Sequence, residues 1–312
     1  MNRVVLVLAL FVVMPIHALQ VSVSPTETLE IANREAVIKI DGKLDEPVWS
    51  SLDQYDEFVV IEPDTLVKPA HATWVSLFYN ERGLYVGVQV EQPPETRVAR
   101  LSSRDNRQIK RDSVGMVLDT SGEGRYGYWF GINLGNSQMD GTLLPEKQFT
   151  SDWDGAWEGA TSETETGWVA EMFIPWGVVS MPKQPGARRI GLYMERFVAY
   201  KDERWSWPAL PDTVPRFISA LQSISVDDVQ PKQQYSIFPS ASVTQDRIDG
   251  KTNYRAGADF FWRPSTNLQL TATINPDFGV AESDDVVINL SATETFFPEK
   301  RLFFLEGQEV FT

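Results

Sequence analysis

Trp205 and Trp207 lie in "DERWSWPAL", a loop-like stretch after a strand, and alternate so that both indoles share one face. Glu203 and Arg204 flank them, and Arg196 lies in the preceding run "RRIGLYMERFVAY". Flat aromatic faces beside a few fixed polar groups are what sugar recognition needs. One side of a pyranose is apolar and its rim is hydroxyl. Trp205, Trp207, Glu203 and Arg196 are therefore the expected carbohydrate-binding set. Trp153 and Trp157 in "SDWDGAWEG" and Trp176 after "MFIP" are further aromatic candidates, whereas Trp168 in "GWVAE" reads as core.

Catalytic chemistry is more constrained. The chain has no cysteine, which excludes disulfides, thiolate metal sites and cysteine nucleophiles. It has two histidines, His17 and His71, and His71 precedes a strand as a rim or core residue would. A multi-histidine metal centre is excluded, and haem, which needs axial ligands, is not expected. Glu171 interrupts the apolar run "GWVAEMFIP", and a buried carboxylate must be paired or hold a raised pKa. Arg196 across the sheet is its expected partner. A glycoside hydrolase would need two carboxylates facing each other across a cleft. Among 43 acidic residues, spacing in sequence identifies no such pair, so no catalytic residue is assigned. Calcium takes six to eight oxygens. Its candidate ligands lie in the acidic clusters Asp41 with Asp45, Asp152 with Asp154, and Asp202 with Glu203. Asp41-Gly42 also reads as a turn, and Asp45 as the cap of a short helix in "DEPVWSSL".

These residues must be carried by a chain of 312 residues with net charge −15. That charge repels phosphate backbones, so nucleic acid is not an expected partner. The start, "MNRVVLVLALFVVMPIHALQ", has one basic residue and an apolar run from Val4 to Met14. That run is too short to span a bilayer, which takes about 20 residues. Residues 1–18 thus read as a signal peptide cleaved after Ala18, and the mature chain keeps His71 alone.

Strand signals dominate the mature chain. "AVIKI" (36–40) reads as a strand. "ATWVSLFYN" and "GLYVGVQVEQ" flank the turn "NERG" as a hairpin, and "DSVGMVLDT" should pair with "YGYWFGINL". Two strands around "ETETG" and one at 188–200 complete seven or more, the signature of an all-β sandwich over residues 19–228. A polar, proline-bearing stretch near residue 228 then marks a linker. Beyond it, Tyr254, Ala256, Ala258, Phe260 and Trp262 share one face. After "RPSTN", Leu268, Leu270, Ala272 and Ile274 alternate with polar residues. Two such strands fit either the start of an outer-membrane β-barrel or a half-buried hairpin on a soluble sheet.

"IDGKLDEPVW", "VSLFYNERGLYVGVQV", "RDSVGMVLDT" and "GWVAEMFIPW" resemble the family 9 carbohydrate-binding-module fold, a calcium-associated β-sandwich related to DOMON domains, over residues 25–228. "TINPDFGVAESDDVVINLSATETFFPEKRLFFLEGQEVF" (273–311) resembles the DUF5916 family. That family joins a signal peptide and such a module to a long barrel-like region. The resemblance implies an exported protein of the periplasm or outer membrane of a Gram-negative bacterium. It implies a glycan as ligand, the membrane as a partner through residues 229–312, and calcium as a structural ion. It also implies that the aromatic tail at Phe296, Phe297, Phe303, Phe304 and Phe311 opens a barrel continuing past Thr312. A hydrolase role would come only by the family's association with glycosidases, and a purely structural or partner-binding domain is the other alternative. The sugar-binding members carry a clamp residue where Ile109 stands here, a glutamate at Gly115 and an arginine at Gly131. The usual cleft is therefore expected to be missing.

Overall fold

A computed structural model describes residues 27–151, 153–182, 185–229, 234–245, 252–265 and 268–275. In chain order the strands begin with β1 (Leu29–Glu30), β2 (Ala32–Asn33), β3 (Val59–Glu62), β4 (Thr73–Tyr79), β5 (Gly83–Glu91) and β6 (Ser113–Asp119). Then come β7 (Gly127–Asn133), β8 (Gln138–Leu144), β9 (Gln148–Thr150), β10 (Glu158–Glu163) and β11 (Gly167–Pro175). The last are β12 (Arg188–Val198), β13 (Glu203–Trp207), β14 (Gln222–Val226), β15 (Gln234–Gln245), β16 (Thr252–Ser265) and β17 (Leu268–Ile274).

Two sheets form the sandwich. The larger runs β1-β14-β12-β6-β7-β8-β9, with β13 and β3 extending from β12. The smaller runs β10-β11-β5-β4-β2. Both hairpins expected from sequence are present, with β4 antiparallel to β5 and β6 antiparallel to β7.

The inner faces follow the two-residue strand period. Leu84, Val86, Val88 and Val90 of β5 and Trp168, Ala170, Met172 and Ile174 of β11 meet Val114, Met116 and Leu118 of β6 and Ile190, Leu192 and Met194 of β12 in one buried core. The outer faces are covered too. Trp49, Phe78, Tyr85 and Phe173 form a second cluster on the outside of the smaller sheet, with Ala36, Ile38, Ile40 and Leu44 packed against it.

That cover corrects two expectations. "AVIKI" is not a strand. It runs unpaired as a strap, and its alternate residues Ala36, Ile38 and Ile40 lie on the aromatic cluster. The helix in "DEPVWSSL" is a single 3-10 turn, Trp49–Ser51, with Val48 at its N-cap and no side-chain cap, so Asp45 does not cap it. Trp49 sinks onto Gly87, where a Cβ would lie 2.9 Å from the indole. Burying that ring fixes the strap more firmly than a cap would.

The third sheet, β15-β16-β17, is antiparallel throughout. Tyr235 pairs with Trp262, Ile237 with Phe260 and Val243 with Tyr254, while Trp262 pairs with Leu270 and Ala258 with Ile274. Directly opposed residues share a face, so these side chains make one continuous apolar surface.

Candidate functional site

The structure brings Trp205, Glu203 and Arg196 together, but with Trp205 and Arg196 inside the sandwich and Glu203 half-buried. Trp205 is fully buried and Trp207 is 5% exposed, both in the inter-sheet core. Trp205 Nε1 donates to Glu203 Oε2 at 2.8 Å, and the Arg196 guanidinium lies 4.5 Å from the Trp205 ring. Arg196 donates to Ala72 O, Thr73 Oγ1, Glu91 O and Gln92 Oε1, and its burial lowers its pKa to about 9. These contacts tie the two sheets together across the core. Trp207 stacks on Tyr55 at 5.0 Å. No face of Trp205 is open to a sugar. The stretch expected to be loop-like is strand β13, paired with β12, so the alternation does put both indoles on one face, but parity alone does not say which face is inner.

The candidates Trp153, Trp157 and Trp176 are also packed, as is Trp168, the expected core residue. Trp168 donates to Gln92 Oε1, Trp176 to Asn80 O and Trp157 to Asp140 Oδ2. Trp153 packs on Phe130 and Tyr128. His71 is half-buried just before β4, with Nε2 2.9 Å from the Tyr200 hydroxyl. Desolvation, then the neighbouring Arg196, holds its pKa below the usual value.

The expected Glu171–Arg196 pair does not form. Both are fully buried, but Arg196 points into the core while Glu171 points to the opposite side of the smaller sheet. There its Oε2 accepts the backbone N–H groups of Asp41 (2.9 Å) and Gly42 (3.1 Å) in the strap. Desolvation raises its pKa to about 7. Glu171 is thus an anchor for the strap. Asp41 pairs with Lys39 at 3.4 Å and Glu203 with Lys201 at 3.6 Å. Asp152 lies outside the described residues. Asp154 joins Asp105 and Asp140, whose carboxylate oxygens lie within 4.8 Å of one another, around Arg104.

A different surface combines an aromatic ring with fixed polar groups. On the outer face of the larger sheet, one cross-strand row reads Glu195 (β12), Gly115 (β6), Gly131 (β7) and Met139 (β8). Two adjacent glycines leave a trough between the flanking side chains. Those flanks are three strand spacings apart, about 14 Å, enough for an indole to lie flat. Trp129 fills it. A Cβ on Gly131 would meet its ring at 2.6 Å, and one on Gly115 would lie 3.1 Å from both Trp129 Nε1 and Glu195 Oε1. Trp129 Nε1 donates to Glu195 Oε1 at 2.9 Å. Arg204 Nη1 reaches Glu195 Oε2 at 3.7 Å, and Arg204 Nε reaches Glu62 at 3.4 Å, so the guanidinium is held between two carboxylates. The nearby Glu195 charge raises its pKa. Over the trough lies exposed Arg107, 4.0 Å from the Phe149 ring and 5.3 Å from the Trp129 ring. Under this cover Trp129 is 8% exposed.

The space left at Gly115 and Gly131 holds the Trp129 ring; Glu195 ends the row on β12, and Arg204 lies outside it, reaching Glu195 from β13. Sequence reasoning missed Trp129 and Glu195. The available signal was Gly131 two residues after Trp129 on one strand face, with Gly115 opposite.

On the third sheet the apolar surface is exposed. Tyr235, Ile237, Val243, Tyr254 and Ile274 are each more than 60% accessible. Tyr254 and Trp262 are eight residues apart on β16, a span of about 26 Å, with Ala256, Ala258 and Phe260 between them.

Solved structures share the sandwich architecture. The chain is similar to a protein from Bacteroides uniformis described as a "putative carbohydrate-binding protein", at 14% identity and TM-score 0.51, covering 64% of this chain and 98% of that one. It also matches a family 9 carbohydrate-binding module from Caldicellulosiruptor kristjanssonii, solved with cellotriose, at 15% identity and TM-score 0.45, covering 64% and 92%. The same module with glucose matches at 14% and 0.46, covering 64% and 94%. No curated protein matches the chain. Residues 231–312 match the domain of unknown function DUF5916. Over residues 231–312 the chain thus matches DUF5916, and the all-β sandwich before that segment shares its fold with the Bacteroides uniformis protein.

Proposed function

We propose that the sandwich is a non-catalytic glycan-binding module, with its site on the outer face of the larger sheet at Trp129, Glu195 and Arg204. The observation that carries this reading is the indole laid across the Gly115–Gly131 trough beside a fixed carboxylate and guanidinium. The ring offers the apolar surface for one sugar face. Glu195 accepts from hydroxyls, and Arg204 donates to them. Arg107 lies on the ring where a pyranose would stack, and as an exposed side chain it can swing aside at small cost.

The module belongs to an exported protein held at the outer membrane, with the third sheet as its membrane-facing part. The signal-like sequence of residues 1–18 supports export. The apolar face of β15–β17 supports membrane contact. Aromatic residues stand at both of its ends, and their spacing approaches the ~25 Å apolar band of outer-membrane strands.

The test is titration of the full chain with a panel of neutral oligosaccharides, β-glucans included, read by calorimetry and tryptophan fluorescence. Binding should be lost in Trp129→Ala and fall at least about tenfold in Glu195→Gln, since a hydrogen bond to a charged group contributes about 1.5–3 kcal/mol. Trp153→Phe should leave it unchanged. A flat response across the panel from folded protein would refute the sugar reading.

A further inference from the structure

A buried arginine beside the Trp129 platform lacks a full set of partners. Arg111, just before β6, is 3% exposed. Its Nη2 donates to the Asn106 carbonyl at 2.6 Å and lies 3.2 Å from Met139 Sδ. Its Nη1 is buried with no hydrogen-bond partner. Arginine stays charged in proteins, and an unmet charged donor is costly to bury, so this nitrogen calls for an acceptor. Burial lowers the pKa of the group accordingly.

Met139 ties that guanidinium to the glycan site. It ends the row Glu195–Gly115–Gly131–Met139 on the side away from Glu195. A Cβ on Gly131 would lie 2.6 Å from the Trp129 ring and 3.4 Å from the Met139 methyl, so ring and methyl meet over this glycine. The indole is thus flanked by Glu195, through Nε1, and by Met139 with Arg111 against it. The segment that leads to Arg111 also carries Arg107 over the ring. Arg204 is neutralised by Glu195 and Glu62. Among the described residues, neither Arg107 nor Arg111 has a carboxylate at ion-pair distance. Desolvation lowers the Arg107 pKa, and the like charge of Arg204 adds to this against the opposing pull of Glu195. Two guanidiniums without a paired carboxylate therefore adjoin one indole, in a chain of net charge −15.

We infer that the Trp129 site selects glycans that carry a carboxylate, as uronic acids do, and that Arg111 and Arg107 set this preference. The inference rests on the reading of Trp129 as a sugar platform. A uronate stacks through the same apolar face as a neutral pyranose, while its carboxylate projects from the ring edge. There a guanidinium can donate two parallel bonds to it, which makes the contact directional as well as charged. Arg111 is fixed by its two contacts and so is a preorganised donor. Arg107 neighbours Asn106, so the movement that bares the ring for a sugar is made in the segment that covers Arg111. Arg107 also lies 4.0 Å from the Phe149 ring, and beside it the charge stays at the rim when a sugar takes its place over Trp129.

Matched sugars test this in the full chain. Short oligomers of β-glucuronate, galacturonate and mannuronate would be titrated beside neutral counterparts that differ only in carrying CH2OH in place of the carboxylate. Calorimetry and tryptophan fluorescence would give the affinity ratio of each pair. For at least one pair the uronate should bind about tenfold tighter or more, because charge-assisted bonds exceed neutral ones. Added salt should narrow that ratio. Arg111→Gln should bring it to within about threefold. If Arg111→Gln fails to fold, Arg107→Gln, at an exposed position, carries the test and should cut the ratio by about threefold or more. Equal affinities within every pair, or a ratio unchanged in Arg107→Gln, would overturn this inference and leave the glycan reading standing. A sulfated neutral oligomer that outbinds the uronates would overturn the assignment to a carboxylate. No binding of any member by folded protein would refute both readings.

Discussion

Replacing Glu171 with glutamine should remove a pH dependence from the fold. In the native protein the carboxyl is fully buried, one oxygen holds the strap's Asp41 and Gly42 amides, and the other, Oε1, has no partner. Burial raises its pKa from 4.5 to about 7. A raised pKa means that the folded state binds the proton more tightly than the unfolded chain. The stabilisation is complete below pH 4.5 and is lost as pH rises through about 7. At 1.36 kcal/mol per unit, the loss across this window is about 3 kcal/mol. Glutamine cannot ionise. It should be less stable than the parent at pH 4, where its extra N–H lacks a partner, and should gain on the parent by about 3 kcal/mol by pH 8. Urea unfolding followed by tryptophan fluorescence at several pH values would measure the difference. With a slope of about 1–3 kcal/mol/M, the relative midpoint should move by about 1 M or more. Using the difference between the two proteins cancels other titrating groups, such as Asp105. Parallel stability curves from pH 4 to 8 would refute the assignment of Glu171 as a strained anchor.

The packing and the exposed faces imply further outcomes. Trp205→Ala should destabilise the sandwich by about 3–5 kcal/mol in urea, because it empties a fully buried indole site. Gly131→Ala should displace the Trp129 ring, which a Cβ would meet at 2.6 Å, costing about 1–3 kcal/mol and weakening sugar binding in calorimetry. Ala258→Arg, midway between Tyr254 and Trp262 on the apolar face, should reduce co-flotation with phospholipid vesicles, since arginine at that depth costs about 2–4 kcal/mol.

The strands of the sandwich are legible in sequence because apolar alternation is a local property. "GLYVGVQV" and "DSVGMVLDT" carry it whatever they pack against. Strands β8 and β9 escape such a reading, since "QMDGTLL" has an aspartate and a glycine where an apolar pattern would stand. The structure explains both: Asp140 gathers Trp157 and Arg104, and Gly141 sits where a Cβ would lie 2.3 Å from the Thr150 carbonyl. The strap at 36–40 mimics a strand because it has the alternation without the pairing.

Sequence alone determined the all-β class, the hairpins, the apolar face beyond residue 234 and the absence of thiol chemistry. Each depends on residue type or on a period of two. Only tertiary structure decided which way each face points and which charges meet. Trp205 and Trp129 look alike as strand tryptophans, yet one lies between the sheets and the other lies over two glycines on the outer face. Glu171 and Arg196 look like a pair, yet they lie on opposite sides of one sheet. Such meetings depend on strand order and register across long sequence separations, and local patterns do not encode them.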